Sequence, residues 1–193
     1  MLICLSGRYI EDELAVHYGR IPPSFMPVNG ERLYSLQGQA YVAGEHAILT
    51  LPKDFTVTTD ELKSIHHAGF EVFYIDPRVS LTEAISEVLR YINTIPSGDT
   101  IRLLFGDTLV DIENIPRAVK DFAVVNTAQI EYPWTYGEQT KETTLFFEQD
   151  PSNFQEHPVV CGYFSFSDFA LLKKSAKEKT LYGLLNKYST SRQ

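Results

Sequence analysis

The chain has 193 residues, 44% of them apolar and 22% charged, which allows one domain with a substantial core and is too short for two ordinary ones. Its net charge of −8 argues against a nucleic-acid backbone as the main partner, because phosphate contacts need clustered Lys and Arg. No apolar run reaches the length of a membrane span, and Met1–Leu5 lacks the basic flank of a signal peptide, so a cytoplasmic protein is expected.

Met1–Leu5 reads as a first strand and Ala47–Leu51 as a second, stopped by Pro52. Thr58 or Thr59 caps a helix that runs to about Ala68, with Asp60 and Glu61 in the first turn, where the helix dipole favours acids. Gly69 ends that helix and Glu71–Ile75 is the next strand. Ser80 caps a second helix whose apolar residues Ala84, Ile85, Val88, Leu89 and Ile92 fall at helical spacing. Strands are then expected at Ile101–Phe105, Val119–Asn126, Thr143–Glu148 and Val160–Ser167. The tail from Phe169 to Tyr188 reads as helical, with Leu171, Leu172, Leu181, Leu184 and Leu185 on its apolar face.

Strands alternating with helices imply crossovers and a mostly parallel sheet, and strand crowding after Thr143 implies an antiparallel extension to about Ser167. The expected fold is therefore one α/β domain over residues 1–193, a Rossmann-like three-layer sandwich with a mostly parallel mixed sheet. Cys4 and Cys161 lie in apolar strand-like runs and read as buried thiols rather than a disulfide.

Leu103-Leu104-Phe105-Gly106-Asp107-Thr108-Leu109 carries the chemistry most plainly. A buried strand ends by delivering one carboxylate to the sheet edge, and ligands of open α/β sheets gather outside the carboxyl ends of strands. Asp107 there suits a divalent metal or a sugar hydroxyl, although Gly-Asp is also an ordinary turn former. Asp111, four residues on, is a second candidate ligand or a solvated loop acid. Trp134, the only tryptophan, lies in an aromatic and proline-rich stretch suited either to stacking on a sugar or base or to a structural cluster. His66 and His67 are adjacent on a predicted helix, point to different faces and read as surface residues. No Gly-x-Ser-x-Gly nucleophile elbow occurs, so hydrolase chemistry has little support.

Several blocks, in order, resemble the sugar-nucleotide pyrophosphorylases, nucleotidyltransferases with a glycosyltransferase-A-like fold. Cys4-Leu5-Ser6-Gly7 resembles the end of that family's first strand and the first glycine of its Gly-x-Gly-Thr-Arg loop. The stretch from Pro22 to Leu33 resembles the Pro-Lys-x-x-x-Pro-Val-x-Gly-x-x-Leu block. Leu104–Leu109 resembles the segment whose aspartate holds catalytic Mg²⁺. Tyr136-Gly137 resembles a sugar-lining pair, Phe147–Pro151 falls where the family has Glu-Lys-Pro, and Gly162–Ser167 resembles the strand that follows. The resemblance implies Asp107 as catalytic residue and metal ligand, with Asp111 assisting, and Mg²⁺ as cofactor. It implies Ser6, Gly7, Arg8 and Pro22 for the nucleotide, and Trp134, Tyr136, Gly137 and Glu148 for the sugar. Gly7, Pro22, Asp107, Trp134 or Tyr136, and Glu148 are then expected to border one cleft. The implied partners are a nucleotide, a sugar phosphate or a sugar nucleotide, with a partner domain or a second copy of the chain. The implied pathway is bacterial surface or capsular polysaccharide assembly.

The chain departs from that family at its phosphate contacts. After Gly7 it reads Arg8-Tyr9-Ile10-Glu11-Asp12-Glu13, and three acids there repel a triphosphate unless they face solvent. Arg8 and Arg20 are candidate replacements for the lost cation. Pro23 and Gln149 stand where the family has lysines, and the sequence ends soon after the Gly162–Ser167 strand, before the point where the family usually supplies a second metal-binding Asp. The chain therefore reads as a shortened domain or the N-terminal part of a longer protein. Three activities are compatible with it: Mg²⁺-dependent nucleotidyl transfer to a sugar 1-phosphate, a catalytically degenerate sugar-nucleotide-binding or scaffolding module, or a related glycosyltransferase using Asp107 and Asp111.

Overall fold

The computed structural model describes residues 1–42, 44–93, 99–113, 119–126, 135–140, 144–148 and 158–192. The chain divides into two compact units, Met1–Val79 with Ile101–Ile115, and Ser80–Thr100 with Pro116–Gln193.

The first unit is built on four parallel strands in the order β5 (Phe70–Ile75), β4 (Ala47–Pro52), β1 (Leu2–Leu5) and β6 (Ile101–Phe105). All of β1 and β4 is buried, as expected of continuous apolar runs in the middle of a parallel sheet. Pro52 does not stop β4 but closes it, paired in register with Ile75, where the end of a strand needs no further donor.

Between β1 and β4 the chain forms elements that periodicity does not announce. They are α1 (Asp12–Tyr18), a 3₁₀ turn (Pro23–Phe25), the hairpin β2 (Pro27–Val28) and β3 (Glu31–Arg32), and α2 (Leu33–Tyr41). Helix α1 buries none of its residues; its entry and exit are joined by the Ile10 amide donating to the Ile21 carbonyl at 3.0 Å. Helix α2 buries Leu33, Tyr34, Gln37, Gly38 and Tyr41. A Cβ on Gly38 would collide with the carbonyl of Ala68, so glycine lets α2 cross closely over the end of the next helix. That helix, α3 (Thr59–His67), has a full capping box between Thr58 and Glu61, and Gly69 follows at φ +91°. His66 and His67 are exposed on it.

The second unit holds α4 (Leu81–Ile92), capped reciprocally by Ser80 and Glu83, and, among the described residues, four antiparallel strands. β10 (Val159–Phe166) pairs β7 (Phe122–Asn126) and β8 (Thr135–Gln139), and β8 pairs β9 (Thr144–Glu148). The register of β10 on β7 shifts between Val160 and Phe164, where Gly162 adopts φ +80°. The expected single tail helix is two, α5 (Phe169–Ser175) and α6 (Leu181–Thr190). Asp168 and Thr180 supply the reason, since each caps a new N-terminus by accepting a backbone N–H. Neither cysteine forms a disulfide; Cys4 is buried, but Cys161, in the stretch of β10 where the register shifts, is only half-buried.

Candidate functional site

Unit one gathers its chemistry at the carboxyl edge of β1 and β6. Ser6 is 1% exposed, and its hydroxyl oxygen accepts from both the amide and the hydroxyl of Ser24, at 3.0 and 2.7 Å. The Ser6 amide donates to Thr50 Oγ1 at 2.8 Å, and Thr50 in turn donates to the Cys4 carbonyl. These bonds dock the 3₁₀ turn, opened by buried Pro22, onto the end of β1. Gly7 is buried beyond it, where a Cβ would lie 3.1 Å from Ile75 Cγ2.

The next strand arrives in contact with this edge. The Gly106 amide donates to the Leu5 carbonyl at 3.0 Å, and a Cβ on Gly106 would lie 2.7 Å from Ser6 Cβ and 3.0 Å from its Cα. The structure thus brings Ser6, Gly7, Pro22 and Asp107 to one edge. Asp107 is exposed, and the Thr108 hydroxyl donates to its Oδ1 at 3.4 Å. Asp111 is exposed four residues further along the chain, where the Glu113 amide donates to its Oδ1 at 2.9 Å and rounds off the loop. Burial pushes the Cys4 thiol well up, and the charge of Asp107 adds to the shift, so Cys4 is an inert, protonated core residue.

Two buried side chains of α2, which the sequence reading does not single out, hold the loop that carries Asp107. Gln37 Nε2 donates to the carbonyls of Thr108, Gly106 and Phe105 at 3.0, 3.1 and 3.3 Å. Tyr41 Oη accepts from the Val110 amide at 2.6 Å and donates to its carbonyl at 2.7 Å. A glutamine in register with Leu33, Tyr34 and Tyr41 is the signal that could have found it, had α2 been recognised as a helix.

The cations near this edge are engaged. Arg8 donates from Nη2 and Nε to the Val79 carbonyl at 2.6 and 3.2 Å. Arg20 stacks over the Tyr9 ring at 3.7 Å and pairs with Asp54 at 3.5 Å. The Tyr9 phenol, foremost, and then Arg20 hold the Asp54 carboxyl below the usual range, against the opposing pull of desolvation. At the end of β5, Arg78 and then Lys53 hold Asp76 far below it, with Arg78 bidentate at 2.9 and 2.7 Å and Lys53 at 2.6 Å. Glu11, Asp12 and Glu13 are exposed at the start of α1, so they face solvent, where helix geometry favours acids.

The expected sugar-side residues belong to the other unit. Tyr136 and Gly137 lie on β8 and Glu148 on β9, with Tyr136 opposite Phe147 and Thr135 opposite Glu148. Opposed residues share a face, so Tyr136 and Glu148 point to opposite faces of the hairpin. Tyr136 stacks on Phe147 at 5.4 Å, and Gly137 sits against Thr144 and Phe146 where a larger residue would crowd them. Trp134 and Gln149 lie outside the described residues.

Mg²⁺ is commonly held by one or two carboxylates together with substrate phosphates rather than by a cage of side chains. Asp107, solvent-facing and with coordination sites to spare, fits that donor set. No group of three His, Cys, Asp or Glu suited to a metal is present among the described residues, and no helix among them is long and apolar enough to cross a membrane.

No protein-family model and no curated protein matches the sequence. Solved structures do match its fold. The nucleoside-diphosphate-sugar pyrophosphorylase from Vibrio cholerae RC9 is 14% identical at a TM-score of 0.65, over 97% of this chain and 86% of that one. A UDP-glucose pyrophosphorylase complexed with UDP-glucose is 15% identical at 0.65, over 96% and 84%. The inositol-1-phosphate CTP transferase from T. maritima is 16% identical at 0.64, over 96% and 79%. The chain has the α/β fold of the nucleotide-diphospho-sugar pyrophosphorylases and nucleotidyltransferases.

Proposed function

We propose that the carboxyl edge of β1 and β6 takes a nucleotide, and that the chain is a sugar-phosphate nucleotidyltransferase-like protein. One observation carries the reading: Gly106 packs its backbone on Ser6, which sets the solvent-facing carboxylate of Asp107 beside the Ser6–Gly7 end of β1. The reaction is attack of a sugar 1-phosphate oxygen on the α-phosphorus of a nucleoside triphosphate, with the bond to the β-phosphate breaking and pyrophosphate leaving. Bound Mg²⁺, held by Asp107, would supply positive charge against the phosphates. Gly7 and Gly106 let the chain pack closely on Ile75 and Ser6 at this edge, Pro22 stiffens the wall, and the exposed Arg8 guanidinium lies on the loop that follows Gly7. Tyr136, Gly137, Glu148 and Trp134 keep a sugar-holding role on the strength of the resemblance alone. The product would serve bacterial surface or capsular polysaccharide assembly in the cytoplasm.

A second reading is binding with little turnover. The engagement of Arg8, Arg20, Lys53 and Arg78 by internal partners favours it, as does Pro23 at the head of the 3₁₀ turn, where the pyrophosphorylases have a lysine. Losing one preorganised charge-stabilising contact costs about 10²–10³ in rate. The deciding assay is pyrophosphate release across four nucleoside triphosphates and a panel of sugar 1-phosphates, with and without Mg²⁺. Turnover that Asp107→Ala lowers by about 10² or more establishes the transferase. Calorimetric binding of a nucleotide or sugar nucleotide without pyrophosphate release establishes the module. Neither turnover nor binding overturns both.

A further inference from the structure

Gln37 is fully buried on a face of α2 that is otherwise apolar apart from the Tyr hydroxyls. A buried primary amide costs free energy unless its donors and acceptor are met. Here both ends are met, by different elements. The Cys4 thiol of β1 donates to Oε1 at 3.4 Å, and Nε2 faces the three carbonyls of Phe105, Gly106 and Thr108. Three carbonyls converging on one end of the amide require the NH₂ there, so the orientation of the side chain follows from its surroundings. The two shortest of these bonds go to the carbonyls of Gly106 and Thr108, the residues on either side of Asp107. The turn's own bond, Thr108 amide to Phe105 carbonyl at 3.0 Å, spans the same residue from inside.

We infer that Gln37 is a positioning residue that fixes the Asp107 carboxylate for its ligand by gripping the carbonyls of its two neighbours, Gly106 and Thr108. The inference rests on the reading of Asp107 as the Mg²⁺- and phosphate-facing carboxylate. Glutamate cannot replace Gln37, because a carboxylate would face three carbonyl oxygens with no hydrogen to give. Methionine fills nearly the same volume and gives none either.

The test compares wild type, Gln37→Met, Asp107→Asn and the double variant by calorimetry, using UDP-glucose and the four ribonucleoside triphosphates, each with and without Mg²⁺. Wild type is expected to bind one of these probes more tightly with Mg²⁺. Gln37→Met is expected to lose about tenfold of the Mg²⁺-dependent affinity while its Mg²⁺-free affinity stays within about twofold; 1 Å misplacements at such sites cost up to about 10². Asp107→Asn is expected to abolish the Mg²⁺ effect, and the double variant to lose no more than it does, because the two residues act through one carboxylate. Should Gln37→Met fail to fold, Gln37→Glu supplies the second lever. It regains one donor when protonated, so its Mg²⁺-dependent affinity is expected to fall as pH rises while that of wild type does not. Equal losses with and without Mg²⁺, or additive losses in the double variant, overturn the positioning role and leave the Asp107 reading standing. A wild type whose affinities ignore both Mg²⁺ and Asp107→Asn overturns that reading and the inference with it.

Discussion

Gly106 is confined by its packing against Ser6 rather than by its backbone angles. A Gly-Asp pair after an apolar run reads as a turn, where glycine supplies conformational freedom. In the folded chain Gly106 does not need a positive φ, and what confines it is space: any Cβ would press on the backbone and side chain of Ser6. Sequence patterning reports conformational preference along the chain and is blind to such contact between residues 100 positions apart. Gly106→Ala is therefore expected to destabilise the protein by about 1–3 kcal/mol, the usual cost of overpacking, read as a lower urea midpoint at unchanged slope. Gln37 was illegible for a related cause, since a glutamine between Leu33 and Tyr41, with Gln39 two residues on, announces nothing until β6 is laid beside it. Arg8, by contrast, was legible as a cation near the edge, but not its bond to the Val79 carbonyl.

At the level of elements, those with local stop and start signals were readable and those stabilised from outside were not. Helices α3 and α4 begin at Thr58 and Ser80 with glutamates three residues on, and both capping boxes are present. Thr58→Ala removes one side of its box and is expected to cost about 1 kcal/mol, measurable as a shift in thermal midpoint. Helix α2 carries Gly38 and Gln37 on its buried face, which breaks the apolar period; tertiary contacts with Ala68 and the Asp107 loop hold it instead. Strand β8 has glycine at its centre and Glu138-Gln139 at its end, a composition poor in strand preference, and its pairing with β9 decides its state. The tail shows the converse error: apolar spacing was right, but Thr180 restarts the helix.

Taken whole, the chain holds a dense polar cluster inside the second unit, built on Asp121, Ser167, Tyr188 and Arg192. Asp121, just before β7, accepts from the Ser167 amide at 2.6 Å and the Tyr188 phenol at 2.7 Å, and from the Ser167 hydroxyl and Arg192 on its other oxygen. Burial alone would raise its pKa; the Ser167 hydroxyl, the Tyr188 phenol and Arg192 together bring it below the usual carboxylate range. Burial and the bond to Asp121 push the Tyr188 phenol up to about 12. A phenol protonated in the folded state at a pH where the unfolded chain ionises stabilises the fold below about pH 10, and that stabilisation is lost as pH rises toward 12. The depressed carboxyl acts on the other side, its contribution complete above the unfolded value and lost as pH falls through the folded one. Unfolding midpoints measured across pH are expected to fall at both ends, with Tyr188→Phe flattening the alkaline limb. An alkaline limb unchanged by that substitution would contradict this account. None of this cluster was read from sequence, because Asp121, Ser167, Tyr188 and Arg192 meet only through strand pairing.

The single hydrogen bond between Ile10 and Ile21 has a consequence for how such a chain can change over time. It closes the mouth of the stretch that contains α1, so the chain leaves the sheet edge and returns to it at nearly the same point. Lengthening a closed loop costs little, roughly 0.6 kcal/mol for each doubling. Residues 11–20 can therefore be rewritten, gained or lost while Ser6, Ser24 and Gly106 keep their grip on one another. That freedom fits the departure from the pyrophosphorylases at Glu11, Asp12 and Glu13, in a segment that carries Leu14, Val16 and Tyr18 in the open.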